Sequence, residues 1–265
     1  MPCASTSAMT APTATRAFVS HNSLRSKRTR GAHRAGRSAV HASSSDPTPR
    51  LILFGSQGSR SPLVNWWMHE LGLPFSVFPP HDSKNPHPFG QIPALLDLTD
   101  ISTDDTADEE SVKLWESGAI LAYLADRFSS LDSPKKRADT LKWIIWANAS
   151  LDPCLFIENA KGQVLDTGVR VKPLQQPPKT IQRLESVLSE RSENEWLAGE
   201  SFGAADVAVG SYLLYVPQFF SDVSFKRWPK ICAYMKRCAS RPAYAEAYGE
   251  NVQQFLVAKC DEWIE

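Results

Sequence analysis

Four consecutive apolar residues, Leu51 to Phe54, end at Gly55, a run too short for a helix and bounded as a buried strand is. Beyond a serine-rich stretch, Leu63, Trp66, Trp67 and Leu71 recur at helical spacing. Ser61-Pro62 supplies an N-cap and then a proline where a missing N–H costs nothing, while Gly72 and Pro74 stop the helix. Phe75 to Phe78 follows as a second strand, so this stretch predicts a β-α-β unit. Ala94 to Leu98 and Val112 to Trp115 read as hairpin strands, and Glu116 to Phe128 as a helix with Ile120, Leu121, Leu124 and Phe128 on one face. The acidic insertion between the hairpin strands, Thr99 to Ser111, reads as a solvated loop.

Ser129 to Asp139 is polar and holds a proline, as a linker does. After it the pattern is helical throughout: Leu141 to Ala160 with a bend expected at Pro153, Thr180 to Arg191, Ala204 to Tyr215, and Trp228 to Gly249. The predicted architecture is a small α/β domain over 50–128, a linker over 129–139 and an all-helical domain over 140–265, without internal repeats.

Composition sets the first 45 residues apart. They are rich in Ser, Thr, Ala and Arg, contain no Asp or Glu, and lack the apolar stretch of roughly 7–15 residues that a secretory signal needs. That is the composition of an organelle transit peptide, and "AVHA" before "SSS" resembles a chloroplast processing site near Ala42; the mitochondrion is the alternative destination. The formal charge of zero hides the same division. Residues 1–50 carry eight of the 29 bases and one of the 29 acids, which leaves 21 bases against 28 acids and a net charge of −7 in the rest. An acidic body argues against a nucleic-acid partner.

No apolar run reaches the ~18 residues of a membrane span, so no membrane partner is expected. Five cysteines (Cys3, Cys154, Cys232, Cys238, Cys260) form no Cys-x-x-Cys pair and no cluster with histidine, so neither a disulfide framework nor a metal site is expected. Asn148-Ala-Ser150 matches a glycosylation acceptor, but it lies in a helical pattern of a chain without a secretory signal and is not read as a site.

Three stretches carry candidate chemistry. The loop Gly55 to Ser61 precedes a helix N-terminus, where free N–H groups and the helix dipole favour an anion and lower the pKa of a thiol; its serines serve equally to cap and turn the chain. Ile92-Pro93 opens a strand with a residue that donates no hydrogen bond, leaving an edge that a peptide-like ligand can use. Glu116-Ser117 stands at a strand-to-helix junction suited to a carboxylate and an amine, or to an ordinary cap. A fourth stretch, Gly199 to Gly210, is structural: Gly203 caps a helix and Asp206 at N3 reaches back to its N–H.

"NPHPFGQIPAL", "LWESGAILAYLADRF" and "FGAADVAVG" occur in the order of matching motifs in the glutathione S-transferase superfamily, which the chain resembles from about Arg50 to about Gly249. The opening "GSQGSRSPLVNWWMHELGLPF" and the later "WIIWANASLDPCLF" look closest to the serine-containing chi-type enzymes of cyanobacteria. The resemblance implies a thioredoxin-like α/β domain followed by an all-α domain, a homodimer, and glutathione as co-substrate without a further cofactor. By the same resemblance, Pro93 is the family's cis-proline, Ile92 pairs with the cysteinyl part of glutathione, Glu116 and Ser117 hold the γ-glutamyl end, and Gln91 meets the glycyl side.

Ser59 aligns with the activating serine, with Arg60 as its competitor and Ser56 and Ser61 as further candidates. Trp146 and Phe156 are candidate walls for a small hydrophobic electrophile, with isothiocyanates or organic hydroperoxides as the implied substrates. The loop Gly55 to Ser61 holds no cysteine, so protein-thiol exchange lacks its nucleophile. The alternative is a non-catalytic interaction module of the same fold.

Overall fold

The computed structural model describes residues 50–99, 111–161, 163–169 and 178–265. The transit-peptide reading of residues 1–45 and nearly all of the acidic insertion lie outside them. Leu51–Phe54 (β1), Phe75–Phe78 (β2), Ala94–Asp97 (β3) and Val112–Trp115 (β4) form one sheet in the order β2-β1-β3-β4. β1 runs parallel to β2 with Leu51 opposite Phe75, antiparallel to β3 with Phe54 opposite Ala94, and β3 runs antiparallel to β4 with Ala94 opposite Trp115. A parallel pair needs a crossover, and Ser61–Glu70 (α1) supplies it; Ser117–Phe128 (α2) follows β4.

The glycine stop of α1 is built as its sequence suggests: Gly72 takes φ 63°, and the Leu73 N–H returns to the Met68 carbonyl at 3.1 Å. Its start lies one residue earlier than Ser61-Pro62 predicts. Arg60 holds the cap position without a side-chain cap bond, and Ser61 is the first helical residue. The Ser61 hydroxyl serves the preceding loop instead, accepting the Ser56 N–H at 3.3 Å.

The helical half comprises Pro134–Trp146 (α3), a π-helical turn Ala147–Leu151, Asp152–Leu155 (α4), Lys179–Ser189 (α5), Ala204–Phe219 (α6), Pro229–Ala239 (α7), Pro242–Tyr248 (α8) and Glu250–Ile264 (α9). α6 is buried on every side from Ala204 to Pro217, as a helix apolar all round must be. α3 begins inside the segment read as linker, because Ser133 caps it by accepting the Lys136 N–H at 3.2 Å and Pro134 takes the first position. The bend at Pro153 takes a specific form. Proline has no N–H for the fourth carbonyl back, and just before it the Asp152 N–H reaches past that spacing to the Ala147 carbonyl, closing the π-turn.

The helical reading of residues 141–160 fails at its end. Phe156 leaves the helix, and Ile157–Glu158 (β5) pairs antiparallel with Val164–Asp166 (β6). Asn159 accepts the N–H groups of Lys161 and Gln163 at 2.9 and 3.0 Å, and this local turn outweighs the apolar period.

Trp66 of α1 joins the two halves. It is fully buried, with its ring 5.3 Å from Phe202, 4.9 Å from Tyr244 and 6.3 Å from Tyr248. Its Nε1 donates to Glu70 at 2.8 Å, and Glu70 receives Arg241 bidentately at 2.6 Å on each oxygen.

Candidate functional site

The serine-rich loop turns sharply off β1. A Cβ on Gly55 would stand 2.4 Å from the Ser61 side chain, so only glycine lets the loop fold back there. The Ser59 hydroxyl donates to the Ser56 carbonyl at 2.8 Å, accepts the Ser61 N–H at 3.0 Å and lies 2.7 Å from the Ser61 hydroxyl, which is left as donor. A hydroxyl has one proton, and that of Ser59 is committed within the turn.

Arg60 lines a cleft of about 420 Å³ together with His87, Gln91, Ile92, Pro93, Glu116 and Ser117. The Ile92-Pro93 peptide is cis. Asn85 shapes the loop before it: Nδ2 donates to the Pro80 and Gln91 carbonyls at 3.0 and 3.2 Å, and Oδ1 accepts the His87 N–H at 3.0 Å. His87 is buried, and its Nδ1 accepts the Phe89 N–H at 3.1 Å, which puts the proton of the neutral ring on Nε2.

On the opposite wall Glu116 takes φ 67° and ψ 120°, the only non-glycine residue with positive φ among the described residues. Such a backbone costs on the order of 1–3 kcal/mol and is held by its surroundings, as ligand clamps often are. Ser117 then opens α2, whose first N–H groups have no partner within the helix and so favour an anion.

The helical half closes the site from behind. Arg60 Nη2 donates to Asp152 Oδ1 at 2.6 Å, and the guanidinium carbon lies 5.2, 5.1 and 5.7 Å from the rings of Phe156, Tyr212 and Tyr215. Burial pulls the Arg60 pKa down, but Asp152 and the two tyrosine hydroxyls pull it up by more, so the guanidinium stays charged. Burial lifts the Asp152 carboxyl above its ordinary value while Arg60 opposes the rise. Asn148 Oδ1 accepts the Tyr212 hydroxyl at 2.7 Å and the Ser117 hydroxyl at 3.4 Å, and its Nδ2 donates to the Ile144 carbonyl at 2.9 Å.

Of the residues singled out from sequence, the cleft gathers Arg60, Gln91, Ile92, Pro93, Glu116 and Ser117; Ser59 is outside its lining. Phe156 is buried beneath Arg60 and is not an open wall. Trp146 lines a separate cavity of about 280 Å³ between α3 and α5, with Trp143 edge-on at 5.4 Å. Asp206 is fully buried and accepts the Gly203 N–H at 3.1 Å, the Leu197 N–H at 3.0 Å and the Tyr234 hydroxyl at 3.0 Å. Having no side chain, Gly203 returns nothing, so only half of a capping box exists.

His87, Asn148, Asp152 and Tyr212 were not singled out as site residues. Asn148 and Tyr212 read as helix positions, and nothing local marks Asp152 as a partner for a residue 92 positions earlier.

A four-stranded mixed sheet carrying a cis-proline, an anion-favouring helix start beside it and a second part that is helical but for the short β5–β6 hairpin define a thioredoxin-like domain joined to a mainly helical one. Comparison with known proteins agrees. Residues 170–242 match the family model for the glutathione S-transferase C-terminal domain. The glutathione S-transferase GstB of Escherichia coli is 28% identical over 184 residues, covering 65% of this chain and 80% of that one. The disulfide-bond oxidoreductase YfcG of the same organism is 31% identical over 168 residues, covering 60% of this chain and 72% of that one. Among solved structures, the glutathione transferase URE2P6 of Phanerochaete chrysosporium in complex with oxidised glutathione superposes with a TM-score of 0.57 at 20% identity, covering 78% and 98% of the two chains. This chain belongs to the glutathione S-transferase superfamily.

Proposed function

We propose that this chain is a glutathione transferase, of the serine-containing chi type by its motifs, working as a homodimer. Glutathione is the co-substrate, no further cofactor takes part, and the second substrate is a small hydrophobic electrophile such as an isothiocyanate or an organic hydroperoxide. The basic, acid-free N-terminal 45 residues support import into the chloroplast, with the mitochondrion as the alternative.

The observation that carries this reading is the placement of a charged guanidinium, Arg60, in one cleft with Ile92 and the helix start at Glu116-Ser117. Ile92 and Gln91 would pair with the peptide part of glutathione. Glu116 and the α2 N-terminus would take its amino-acid end. Arg60, at the start of α1, would stabilise the thiolate as the thiol proton leaves to water. The thiolate then adds to the electrophilic carbon of an isothiocyanate, whose nitrogen takes up a proton. Ser59, its own proton donated to Ser56, is the lesser contributor.

The test is the pKa of glutathione's thiol when bound, read by ultraviolet thiolate absorbance against pH. An ordinary thiol stands at about 8.5, and a cation within ~4–6 Å lowers an acid by about 1–3 units, so a value near 6–7 is expected. Arg60→Ala raises it by about one unit or more, and Ser59→Ala moves it by far less. Failure to bind glutathione, or binding with an unshifted thiol, would favour the interaction-module reading. Disulfide reduction, suggested by the name of the YfcG relative, would here have to use the thiol of bound glutathione, since the loop has no cysteine.

A further inference from the structure

The two residues to which the proposed function gives glutathione's thiol and its γ-glutamyl end, Arg60 and Ser117, stand at the starts of different helices, α1 and α2. Both are held from outside their own half. Asp152 is the acid paired with Arg60 among the described residues, at 2.6 Å, and Asn148 accepts the Ser117 hydroxyl at 3.4 Å, while the Tyr212 hydroxyl also interacts with both Ser117 and Arg60. Asn148 lies within the π-turn Ala147–Leu151, and Asp152, four residues on, follows its last residue and closes it with its N–H on the Ala147 carbonyl.

Tyr212 of α6 stands between them. Its hydroxyl donates to Asn148 at 2.7 Å, and its ring lies 5.1 Å from the Arg60 guanidinium. The fit at α2 is close: a Cβ on Gly118 would lie 2.5 Å from Asn148 Nδ2 and 3.3 Å from Ile144 Cγ2. Extra residues in π-turns are frequent where function needs side chains aimed off the regular helical face.

We infer that the π-turn Ala147–Leu151, with the first residue of α4, is a positioning element that sets Ser117 through Asn148 and Arg60 through Asp152. Neither Asn148 nor Asp152 touches glutathione in this arrangement; each acts through the residue that does. The inference rests on the reading that glutathione binds in this cleft. It has a consequence that a plain cross-link between halves lacks: two side chains of one turn govern two different properties of the bound ligand. Asn148 governs how tightly glutathione is held, and Asp152 governs how acidic its thiol becomes.

Purified full-length protein is titrated with glutathione, and both the dissociation constant and the thiol pKa of the complex are read. Asn148→Ala is expected to weaken binding about tenfold while leaving the bound thiol pKa in place. Asp152→Ala removes a carboxylate, which by charge alone would lower the bound thiol pKa, but it also releases the guanidinium from its anchor. With Arg60 no longer held at the thiol, the net expectation is a rise of about one unit with little change in affinity. Asp152→Asn keeps an oxygen at the same place, and so keeps the wild-type pKa or lowers it. Each effect must vanish when its target is gone: Asp152→Ala does nothing further to the pKa in an Arg60→Ala background, nor Asn148→Ala to affinity in a Ser117→Ala background.

If wild-type protein does not bind glutathione or leaves its thiol unshifted, the reading of the cleft fails and this inference with it. If the wild type lowers the thiol pKa but Asp152→Ala leaves it low, or if both variants move both properties together, the cleft reading stands and the positioning role is overturned. Circular dichroism and urea unfolding identify a variant that has lost its fold; for such a variant Asp152→Ser and Asn148→Ser, which shorten the side chain out of reach of its target while staying polar, carry the same comparison.

Discussion

The close approach of Gly118 to the π-turn predicts the outcome of adding one methyl group. In Gly118→Ala the new Cβ would stand 2.5 Å from Asn148 Nδ2 and 3.3 Å from Ile144 Cγ2. The Asn148 amide is the end of a short side chain and has to yield. It is pinned, however, by its bond to the Ile144 carbonyl at 2.9 Å and by the Tyr212 hydroxyl at 2.7 Å. Losing both costs about 1 kcal/mol each, and alanine's helical preference over glycine returns at most ~1 kcal/mol, so the net loss is about 1–2 kcal/mol. For a fold of this size that corresponds to a fall in melting temperature of roughly 2–8 °C, or a matching drop in the urea midpoint. The decisive comparison is the same substitution in an Asn148→Ala background. There the overlapping amide is absent, so alanine at 118 should be neutral or mildly stabilising, and the two sites should be coupled by about 1–3 kcal/mol. Equal stability of Gly118→Ala and wild type would refute the reasoning. So would an identical loss in both backgrounds, which would move the cost onto Ile144.

Two further perturbations test the joint between the halves and the buried acid of α6. Arg241→Ala strips the largely buried Glu70 carboxylate of its bidentate partner, leaving it the Trp66 N–H, and should cost about 3 kcal/mol by urea unfolding. Adding Glu70→Gln should recover much of that, and a cost under ~1 kcal/mol would show that the pair does not hold the halves together. Asp206 stands at about 6 because burial raises it from 3.8, against the backbone N–H groups of Leu197 and Gly203 and the Tyr234 hydroxyl. Its folded value is the higher one, so its contribution is full below about 3.8 and is lost as pH rises through about 6, a change of about 3 kcal/mol. The urea midpoint should therefore fall more steeply from about pH 4 to about pH 7 in wild type than in Asp206→Asn; parallel profiles would assign the titration to another group.

What the sequence makes legible is what has a local cause. The strand Leu51–Phe54, the helix ended by Gly72 and the hairpin partners Ala94–Asp97 and Val112–Trp115 each carry their own apolar pattern and punctuation. Local cause also explains two differences. The Ser133-Pro134 pair starts a helix within a segment whose polarity suggests a linker, and the Asn159 side chain turns a hairpin where the apolar period suggests a continuing helix. The motif residues Gln91 to Pro93 and Glu116-Ser117 are legible for the same reason, being contiguous. The strained backbone of Glu116 is not, because no residue type announces a positive φ outside glycine and asparagine.

Long-range partners leave no such trace. Ser117 meets Asn148 across 31 positions, Asn148 meets Tyr212 across 64, and Arg60 meets Asp152 across 92. Each of these helical-half residues has an adequate bland explanation where it stands in the chain. The choice between Ser59 and Arg60 shows what is lost with them. From sequence the two are neighbours with equal access to a helix start; in the fold one has donated its proton to a carbonyl within its own turn, and the other lines the cleft with a carboxylate at its back. A hydroxyl has one proton and Ser59 has given it away, whereas a guanidinium has five N–H donors and Asp152 takes one of them, a difference that only the arrangement contributed by the helical half makes visible. The groups that line the cleft therefore come from the α/β half and their positioning from the helical half. Replacing the segment Asn148–Asp152 should change the behaviour of the cleft although every motif residue keeps its identity.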